Sequence, residues 1–309
     1  MEIYRSAGEI PTPPSPKAVA IGNFDGLHLG HRRIIDRLKK EAAARRVPAC
    51  VLTFSPHPEK VFGPARLRMI QTLDQRLRGL CEWGLDAAVV LPFHRAFARL
   101  EGDAFAAAIL AGRLNARLIV VGEDFRFGRG RSSGPADLKR FGGLHGFKVK
   151  AVPHLKRRGR IVRSSRIRDL LGAGRIEEAA ALLGRPYAIE GDVVGGDRRG
   201  RTLGFPTANI LTPNEIIPRG IFITRLEWEG RLYPSLTSVG VRPTFGNRTL
   251  AVECHLLDFE RDIYGKAVRL FFLRKLRDER LFPEAGALRR QIGADEAAAR
   301  AYFRRRPHL

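Results

Sequence analysis

The chain has 309 residues, which is enough for two domains that each bury a hydrophobic core. Its 44% hydrophobic and 28% charged residues are typical of a globular protein and exclude a disordered chain. No apolar run is as long as a membrane span, residues 1–17 lack the pattern of a signal peptide, and the three cysteines are too far apart to indicate a disulfide framework or a zinc site. We therefore expect a cytoplasmic protein.

The net charge of +23 raises the alternative of a nucleic-acid-binding protein, because clustered cations neutralise phosphates. Most of this charge is arginine scattered along the chain, and no known nucleic-acid-binding motif accompanies it. Nucleotide substrates are anionic as well. We therefore expect small anionic substrates, with neither a nucleic acid nor a membrane as a partner.

Short apolar runs alternate with longer segments of helical pattern between residues 17 and 154. This alternation predicts a doubly wound parallel sheet, in which ligands bind beyond the carboxyl ends of the strands. Thr72 and Gln75 fit a capping box, and Gly84 fits the end of that helix. The predicted strands are 18–21, 49–54, 87–91, 118–122 and 148–152, and the predicted helices are 32–46, 72–83, 104–114 and 136–141.

The turn after the first of these strands, GNFDGLHLGH at residues 22–31, carries the clearest chemical signal. Its glycines, among them Gly22 and Gly30, let the backbone approach a ligand, and the helix that follows offers unpaired N–H groups to an anion. His28 and His31 are three residues apart, so their imidazoles share one face of the first helical turn. We interpret the turn as a polyphosphate site, the alternative being a glycine-rich turn with two surface histidines.

Two loops follow strand ends at the same edge of the predicted sheet. His57 lies between prolines in TFSPHP, residues 53–58, and by itself it is read more simply as a turn residue. Asp124 and Arg126 lie with two phenylalanines in VGEDFRFG, residues 121–128. That loop has the composition of a pocket for a flat ring, although a charged surface loop would have the same composition.

A basic segment at residues 155–163 leads into SSRIR, which opens a helix. Ser164 or Ser165 is a natural N-cap for this helix. The serine pair with Arg168 also forms a second phosphate cradle. Neither interpretation excludes the other.

These motifs, in this order, resemble the adenylyltransferase half of the prokaryotic bifunctional riboflavin kinase/FMN adenylyltransferases, or FAD synthetases, whose superfamily carries an HxGH signature. The family usually has an ISST-like string before its IR pair. In this chain Arg163 replaces the first serine and Ser165 replaces the threonine. The resemblance implies adenylyl transfer by His28, His31, Ser164, Ser165 and Arg168, and ATP or flavin contacts by Gly22, Asn23, Phe24, Asp25, Gly30, His57, Asp124 and Arg126.

From Tyr187 onwards the pattern changes to alternating runs separated by glycine-containing turns. Runs at 188–194, 221–228, 252–259 and 268–273 predict an antiparallel β domain, and a helical pattern returns at about 284–303. We expect an adenylyltransferase domain at 1–185, including a linker and bridging helix at 156–185, and a kinase domain at 186–309.

Residues 195–202, GGDRRGRT, nearly spell a phosphate-binding P-loop. Pro206 follows too closely for the helix that a P-loop requires. A glycine-rich basic loop between strands can still hold phosphate through backbone N–H groups and Arg201. In PTAN, residues 206–209, the Thr207 hydroxyl and the Asn209 amide are hard oxygen ligands of the kind that Mg²⁺ prefers.

Glu253 and His255 of VECHLLDF, residues 252–259, fall on one face of a strand. The spacing leaves open whether Glu253 is an exposed residue or a placed base. GRTLGFPTAN (200–209), VRPTFG (241–246), VECHLLDF and DIYG (262–265) follow the order of riboflavin kinases, with Arg198 where that family commonly has glycine. The resemblance implies ATP and Mg²⁺ binding by Thr207 and Asn209, a base at Glu253, and phosphate contacts by Gly196, Gly200 and Arg201.

Together the two resemblances cover residues 17–303. They imply an α/β, Rossmann-like nucleotidyltransferase domain followed by an antiparallel β-barrel riboflavin kinase domain with a terminal helix. The implied reactions are ATP-dependent phosphorylation of riboflavin to FMN, then adenylylation of FMN to FAD with release of pyrophosphate. Mg²⁺ is the implied cofactor, ATP the co-substrate, and FMN and FAD are product and substrate. The alternatives are an HxGH nucleotidyltransferase of other specificity and a basic nucleic-acid-binding protein.

Overall fold

The computed structural model describes residues 1–62, 67–195, 204–244 and 247–306. It divides into two compact units, Met1–Ser164 and Ser165–Leu309. The predicted functional boundary at 185/186 stays a prediction. Within the described ranges, no helix combines the length and the apolar character that crossing a membrane requires.

The first unit is built on a parallel sheet. Its strands are β1 (Glu2–Tyr4), β2 (Lys17–Ile21), β3 (Ala49–Ser55), β4 (Ala87–Pro92), β5 (Ala116–Gly122) and β6 (Lys148–Val152). They pair in the order β1-β4-β3-β2-β5-β6, all parallel. The chain proceeds from β2 to β3 on one side and later returns to place β5 on the other side. The carboxyl ends of β2 and β5 therefore form the switch point at which such sheets bind ligands.

Helices cover this sheet, namely α1 (Leu29–Arg45), α2 (Pro58–Phe62), α3 (Leu73–Glu82), α4 (Gly102–Phe105), which continues as a π-helix (Ala106–Arg113), and α5 (Pro135–His145). The predicted capping box at α3 is confirmed, because Thr72 Oγ1 accepts from the Gln75 N–H at 3.2 Å and Gln75 Oε1 accepts from the Thr72 N–H at 3.0 Å. Helix α1 begins three residues before the predicted start, because the His28 side chain caps it. A short hairpin, β7 (Lys156–Arg157) and β8 (Arg160–Ile161), closes the unit.

The second unit begins within α6 (Ser164–Gly172), which is followed by α7 (Ile176–Leu183). Its strands are β9 (Tyr187–Val194), β10 (Ala208–Leu211), β11 (Gly220–Trp228), β12 (Arg231–Thr244), β13 (Asn247–Leu256) and β14 (Ala267–Arg277). They form a closed antiparallel barrel in the order β10-β13-β12-β11-β14-β9. The terminal helix α8 (Ala285–Arg304) is tied to β14 by Arg277, which donates to both carboxylate oxygens of Asp295. The predicted fold class is confirmed.

The sequence pattern did not indicate β12, and the barrel interior explains why. Ser235 and Thr237 of this strand point inward and are fully buried. Their hydroxyls lie 2.8 and 2.6 Å from the hydroxyl of Thr224 on β11. Because these polar side chains satisfy one another inside the barrel, the strand lacks the apolar alternation that predicts a β-strand.

Candidate functional sites

A cavity of about 1090 Å³ opens at the carboxyl ends of the parallel strands in the first unit. Gly22 and Asn23, which follow β2, form part of its lining. His57 lines it from the segment after β3, and Asp124 and Arg126 line it from the loop after β5. The structure therefore brings together five residues that the sequence analysis assigned to ATP or flavin contacts.

Phenylalanine dominates the apolar part of this cavity. The Phe125 and Phe127 rings stack at 5.4 Å between centroids, and Phe93 contacts the Phe54 and Phe97 rings edge-on at 5.6 Å. Such a surface accepts a flat aromatic ring by stacking or edge contacts. We call these lining residues the phenylalanine wall: Phe54, Phe62, Phe93, Phe97, Phe105, Phe125 and Phe127.

Arginines lie around the same cavity. Arg95 and Arg99 follow β4, and Arg129 and Arg131 follow Phe127 in the loop after β5. Arg129 forms an ion pair with Glu101 at 2.8 Å, with both side chains exposed. The cavity thus combines an aromatic surface with cationic side chains, a combination that suits a flat aromatic ligand with anionic groups.

His28 and His31 lie at the N-terminus of α1, in the same turn as Gly22 and Asn23, which line the cavity. Their rings stack with centroids 3.6 Å apart and an interplanar angle of 16°. His28 Nδ1 accepts from the His31 backbone N–H at 3.2 Å, so in a neutral His28 the proton resides on Nε2. A Cβ at Gly30 would lie 3.1 Å from His28 Nδ1. Glycine at this position therefore leaves room for the ring.

Asp25 is buried within the turn. Its carboxylate accepts from the backbone N–H groups of Ile70 and Gln71, at 3.1 and 3.2 Å, and its carbonyl accepts from the Ser164 hydroxyl at 2.8 Å. Asp25 thus connects three segments of the first unit around the HxGH turn. Its predicted contact with ATP or flavin stays a prediction.

The remaining predicted residues of the adenylyltransferase site lie on α6. This helix starts at Ser164, so Ser164 and Ser165 are its first residues rather than its N-cap. Ser165 and Arg168 belong to the second unit, and their part in adenylyl transfer stays a prediction.

The predicted kinase residues lie on two neighbouring strands of the barrel. Asn209 on β10 pairs with Glu253 on β13 in the antiparallel ladder, so their side chains emerge on the same face. Cys254, which lies between Glu253 and His255 along β13 and pairs with Ala208, points inward and is fully buried, as the predicted alternation requires. Burial raises the pKa of the Cys254 thiol to about 11, so this cysteine is a packing residue and not a nucleophile.

Thr207 directly precedes β10, and a histidine holds the backbone beside it. His255 Nδ1 lies 2.7 Å from the carbonyl oxygen of Pro206, which can only accept, so Nδ1 carries the proton. A hydroxyl, an amide oxygen and a carboxylate therefore occur together on adjacent segments. The Thr207 hydroxyl and the Asn209 amide oxygen fit Mg²⁺, which binds a few protein oxygens and keeps positions for water and phosphate. Gly196, Gly200 and Arg201, predicted to contact phosphate, lie outside the described residues, as does Arg198.

Glu279, which the sequence analysis did not select, also lies at this end of the barrel. Burial raises the pKa of its carboxyl, Arg219 lowers it, and Glu253 raises it further. A Cβ at Gly240 would lie 1.5 Å from the Glu279 carboxylate, so glycine at position 240 makes room for this side chain.

Comparisons with known proteins match both units. A family model described as FAD synthetase matches residues 10–166, and one described as riboflavin kinase matches residues 183–303. A bifunctional riboflavin kinase/FMN adenylyltransferase of Escherichia coli is 34% identical over 98% of each chain, and one of Pseudomonas fluorescens is 36% identical over 91% of each chain. The chain belongs to this bifunctional family.

A solved structure from Streptococcus pneumoniae, described as a macrolide-efflux protein, has the same fold. It is 31% identical, with a TM-score of 0.88, and the likeness covers 96% of this chain and 98% of that one. The riboflavin kinase match over 183–303 decides against the alternative of an HxGH nucleotidyltransferase with an unrelated β domain.

Sequence reasoning missed most of the phenylalanine wall of this FAD synthetase family member. A signal was present, since Phe54 is the penultimate residue of β3, Phe93 directly follows β4, and Phe125 and Phe127 follow β5. Aromatic residues at several carboxyl strand ends predict an aromatic pocket there.

Sequence reasoning also missed Arg76 of α3, which is 3% exposed. Burial lowers the pKa of its guanidinium, and the charge of Asp25 raises it again in part. An arginine within an amphipathic helix gives no sign that it is buried.

Proposed function

We propose that this flavin-cofactor synthesis enzyme works through two separate residue sets, one in each unit. The stacked His28–His31 pair and the phenylalanine wall serve the adenylylation of FMN, and the Asn209–Glu253 pair serves the phosphorylation of riboflavin. The observation that supports the proposal is that Asn209 and Glu253 are paired on the barrel of the second unit, whereas the histidine pair and the phenylalanine wall belong to the first unit.

In the kinase reaction the ribityl 5′-hydroxyl of riboflavin attacks the γ-phosphorus of ATP, and ADP leaves. Glu253 orients this hydroxyl and accepts its proton. Thr207 and Asn209 would hold Mg²⁺, which when bound neutralises charge on the ATP phosphates. His255 keeps the backbone before Thr207 in place through its bond to the Pro206 carbonyl. Positioning and electrostatics dominate the catalysis of such transfers.

In the adenylyl transfer a phosphate oxygen of FMN attacks the α-phosphorus of a second ATP, and pyrophosphate leaves. The attacking oxygen is already ionised, so the step needs stabilisation of phosphate charge rather than a strong base. The N-terminus of α1 and the Nε2–H of His28 supply hydrogen-bond donors for this. The phenylalanine wall receives the isoalloxazine ring, and the surrounding arginines attract the phosphates.

The test is to incubate the chain with riboflavin, ATP and Mg²⁺ and to separate the flavins by chromatography. We expect FMN to appear first and FAD to follow, and FAD alone to form when FMN is supplied. The absence of any phosphorylated flavin would refute the proposal. Salt-sensitive binding to generic DNA without flavin turnover would favour the nucleic-acid-binding alternative instead.

A further inference from the structure

Arg76 is a buried cation close to the adenylyltransferase cavity. It lies on α3, it is 3% exposed, and its Nη1 donates to the carbonyl oxygen of Asn23 and, at 3.4 Å, to Thr53 Oγ1. Its Nε atom is buried and has no hydrogen-bond partner among the described residues. None of its hydrogen bonds to those residues goes to a carboxylate.

Such an arrangement is unfavourable for folding by itself. A buried guanidinium loses its hydration, which lowers the pKa of Arg76. Hydrogen bonds to a neutral carbonyl and a hydroxyl, together with the charge of Asp25, restore only part of that loss. An apolar side chain would fill the same space without this cost. The benefit of a charged side chain at position 76 is the hydrogen bond that it donates to the Asn23 carbonyl.

That carbonyl belongs to the peptide between Asn23 and Phe24. It accepts a second hydrogen bond from Thr53 Oγ1 at 3.3 Å, so donors from α3 and β3 hold the same oxygen. Phe24 has φ of +51°, in the left-handed region that disfavours residues other than glycine. A strained residue keeps its conformation only where its surroundings determine it, and the two donors do so here.

Phe24 in turn contacts His31, one of the two proposed catalytic histidines. Its ring meets the ring of His31 edge-on with centroids 5.3 Å apart, and His31 stacks on His28 at 3.6 Å. Asn23 itself lines the cavity. A continuous series of contacts therefore leads from the Arg76 guanidinium through the 23–24 peptide and Phe24 to the imidazole pair.

We propose that Arg76 is a positioning residue for adenylyl transfer, which fixes the Asn23 carbonyl and thereby the orientation of Phe24 and His31. Arg76 acts through these residues and does not contact the reacting phosphates. The proposal rests on the proposed adenylyltransferase function of the first unit.

The experiment compares Arg76→Met and Arg76→Lys with Arg78→Met, which removes an exposed arginine from the same helix. For Arg76→Met we expect kcat of FAD formation from FMN to fall about tenfold or more, because small misplacements of catalytic groups are costly, with KM for ATP and FMN changed by less than about threefold. Arg76→Lys keeps a cationic donor and should recover most of this kcat. Arg78→Met should behave like the wild type, and riboflavin phosphorylation should be unchanged in all three variants.

A spectroscopic readout separates positioning from a loss of stability. The imidazole ¹⁵N and ¹H resonances of His28 and His31 should shift in Arg76→Met and stay in place in Arg78→Met. Equal kcat values for Arg76→Met and Arg78→Met would overturn the proposal, and so would an Arg76→Lys variant no better than Arg76→Met.

Thr53→Val removes the second donor to the same carbonyl and serves if Arg76→Met does not fold. We expect it to lower kcat of FAD formation with a similar shift of the histidine resonances, and wild-type behaviour in both measurements would contradict the proposal. If the wild-type chain makes no FAD from FMN, the proposed function itself is refuted. If the wild-type chain makes FAD and the variants behave like it, only the role of Arg76 is refuted.

Discussion

Asn209 and Glu253 are paired directly across β10 and β13, although they belong to motifs far apart in the chain. Residues opposite each other in an antiparallel ladder project to the same face, so the amide and the carboxylate reach the same space outside the barrel. This relationship places the proposed Mg²⁺ ligand beside the proposed base. We therefore expect substitution of Glu253 to affect proton transfer and substitution of Asn209 to affect the Mg²⁺ dependence.

Glu253→Gln removes the carboxylate that accepts the proton and keeps the size of the side chain. We expect FMN formation from riboflavin to fall by about 10²–10⁴-fold, the usual contribution of a general base. Conversion of added FMN to FAD should remain at the wild-type rate, as measured by chromatography of the flavins. Glu260→Gln, at an exposed glutamate shortly after β13, is the control. A comparable loss in both variants would contradict the role of Glu253.

Asn209→Ala removes one oxygen ligand of the proposed Mg²⁺ site. We expect the Mg²⁺ concentration for half-maximal FMN formation to rise by about tenfold or more, the usual range for disturbing a metal site. The Mg²⁺ dependence of FAD formation from FMN, measured on the same preparation, is the internal control. If both dependences shift together, Asn209 is not a ligand specific to the kinase reaction.

His28→Asn separates the proposed catalytic role of His28 from its role as the N-cap of α1. Asparagine is a good N-cap, so its side-chain oxygen can still accept from the N–H of His31, while the Nε2–H donor is lost. We expect FAD formation from FMN to fall by about 10²–10³-fold, as when one donor to a transition-state charge is removed, with riboflavin phosphorylation unchanged. His145→Asn on α5 is the control in the same unit, and a drop in its adenylyl transfer would argue for a general effect on the fold.

Phe62→Ala tests the phenylalanine wall. The Phe62 side chain lines the cavity, contacts the Phe93 ring at 6.1 Å, and is 57% exposed, so its removal should affect stability little. We expect the dissociation constant for FMN, measured by flavin fluorescence, to rise by about three- to tenfold, as loss of one aromatic contact predicts. Leu144→Ala, at an exposed leucine of α5, should leave FMN affinity unchanged. Unchanged affinity in Phe62→Ala would place the flavin ring elsewhere.

Gly191→Ala tests the packing of the barrel. A Cβ at position 191 would lie 2.1 Å from the backbone oxygen of Leu211, so β9 and its neighbour must move apart. We expect the free energy of unfolding to fall by ~1–3 kcal/mol, the usual cost of overpacking. Gly293→Ala on α8 meets no atom within 4 Å and should raise stability by ~0.5–1 kcal/mol, because alanine favours helix. Denaturant titration followed by circular dichroism measures both, and equal stabilities would contradict the predicted clash.

Some features could be predicted from short stretches of sequence because local chemistry determines them. The capping box at Thr72 is one, since its hydrogen bonds join residues three positions apart. The stacking of His28 on His31 could be predicted only in part, because His28 is the N-cap of α1 with an extended backbone, and its Nδ1 accepts from the His31 N–H. The inward position of Cys254 between two outward residues likewise follows from the period of a strand.

Other features depend on contacts that no local pattern encodes. The burial of Arg76 depends on where α3 packs. The inward hydroxyls that make β12 hard to predict are satisfied only by Thr224 on the neighbouring strand β11. The phenylalanine wall gathers residues from segments after three different strands, and only the strand order brings them to one cavity.

The sequence by itself determined the two folds, the HxGH turn and the order of the kinase motifs, because hydrophobic periodicity and the spacing of chemical groups are local properties. The tertiary structure alone decided that Asn209 pairs with Glu253, that Asp25 is bound to the backbone at 70–71, and that Arg76 holds the Asn23 carbonyl. These relationships depend on strand register and helix packing, which are fixed only when distant segments of the chain come together.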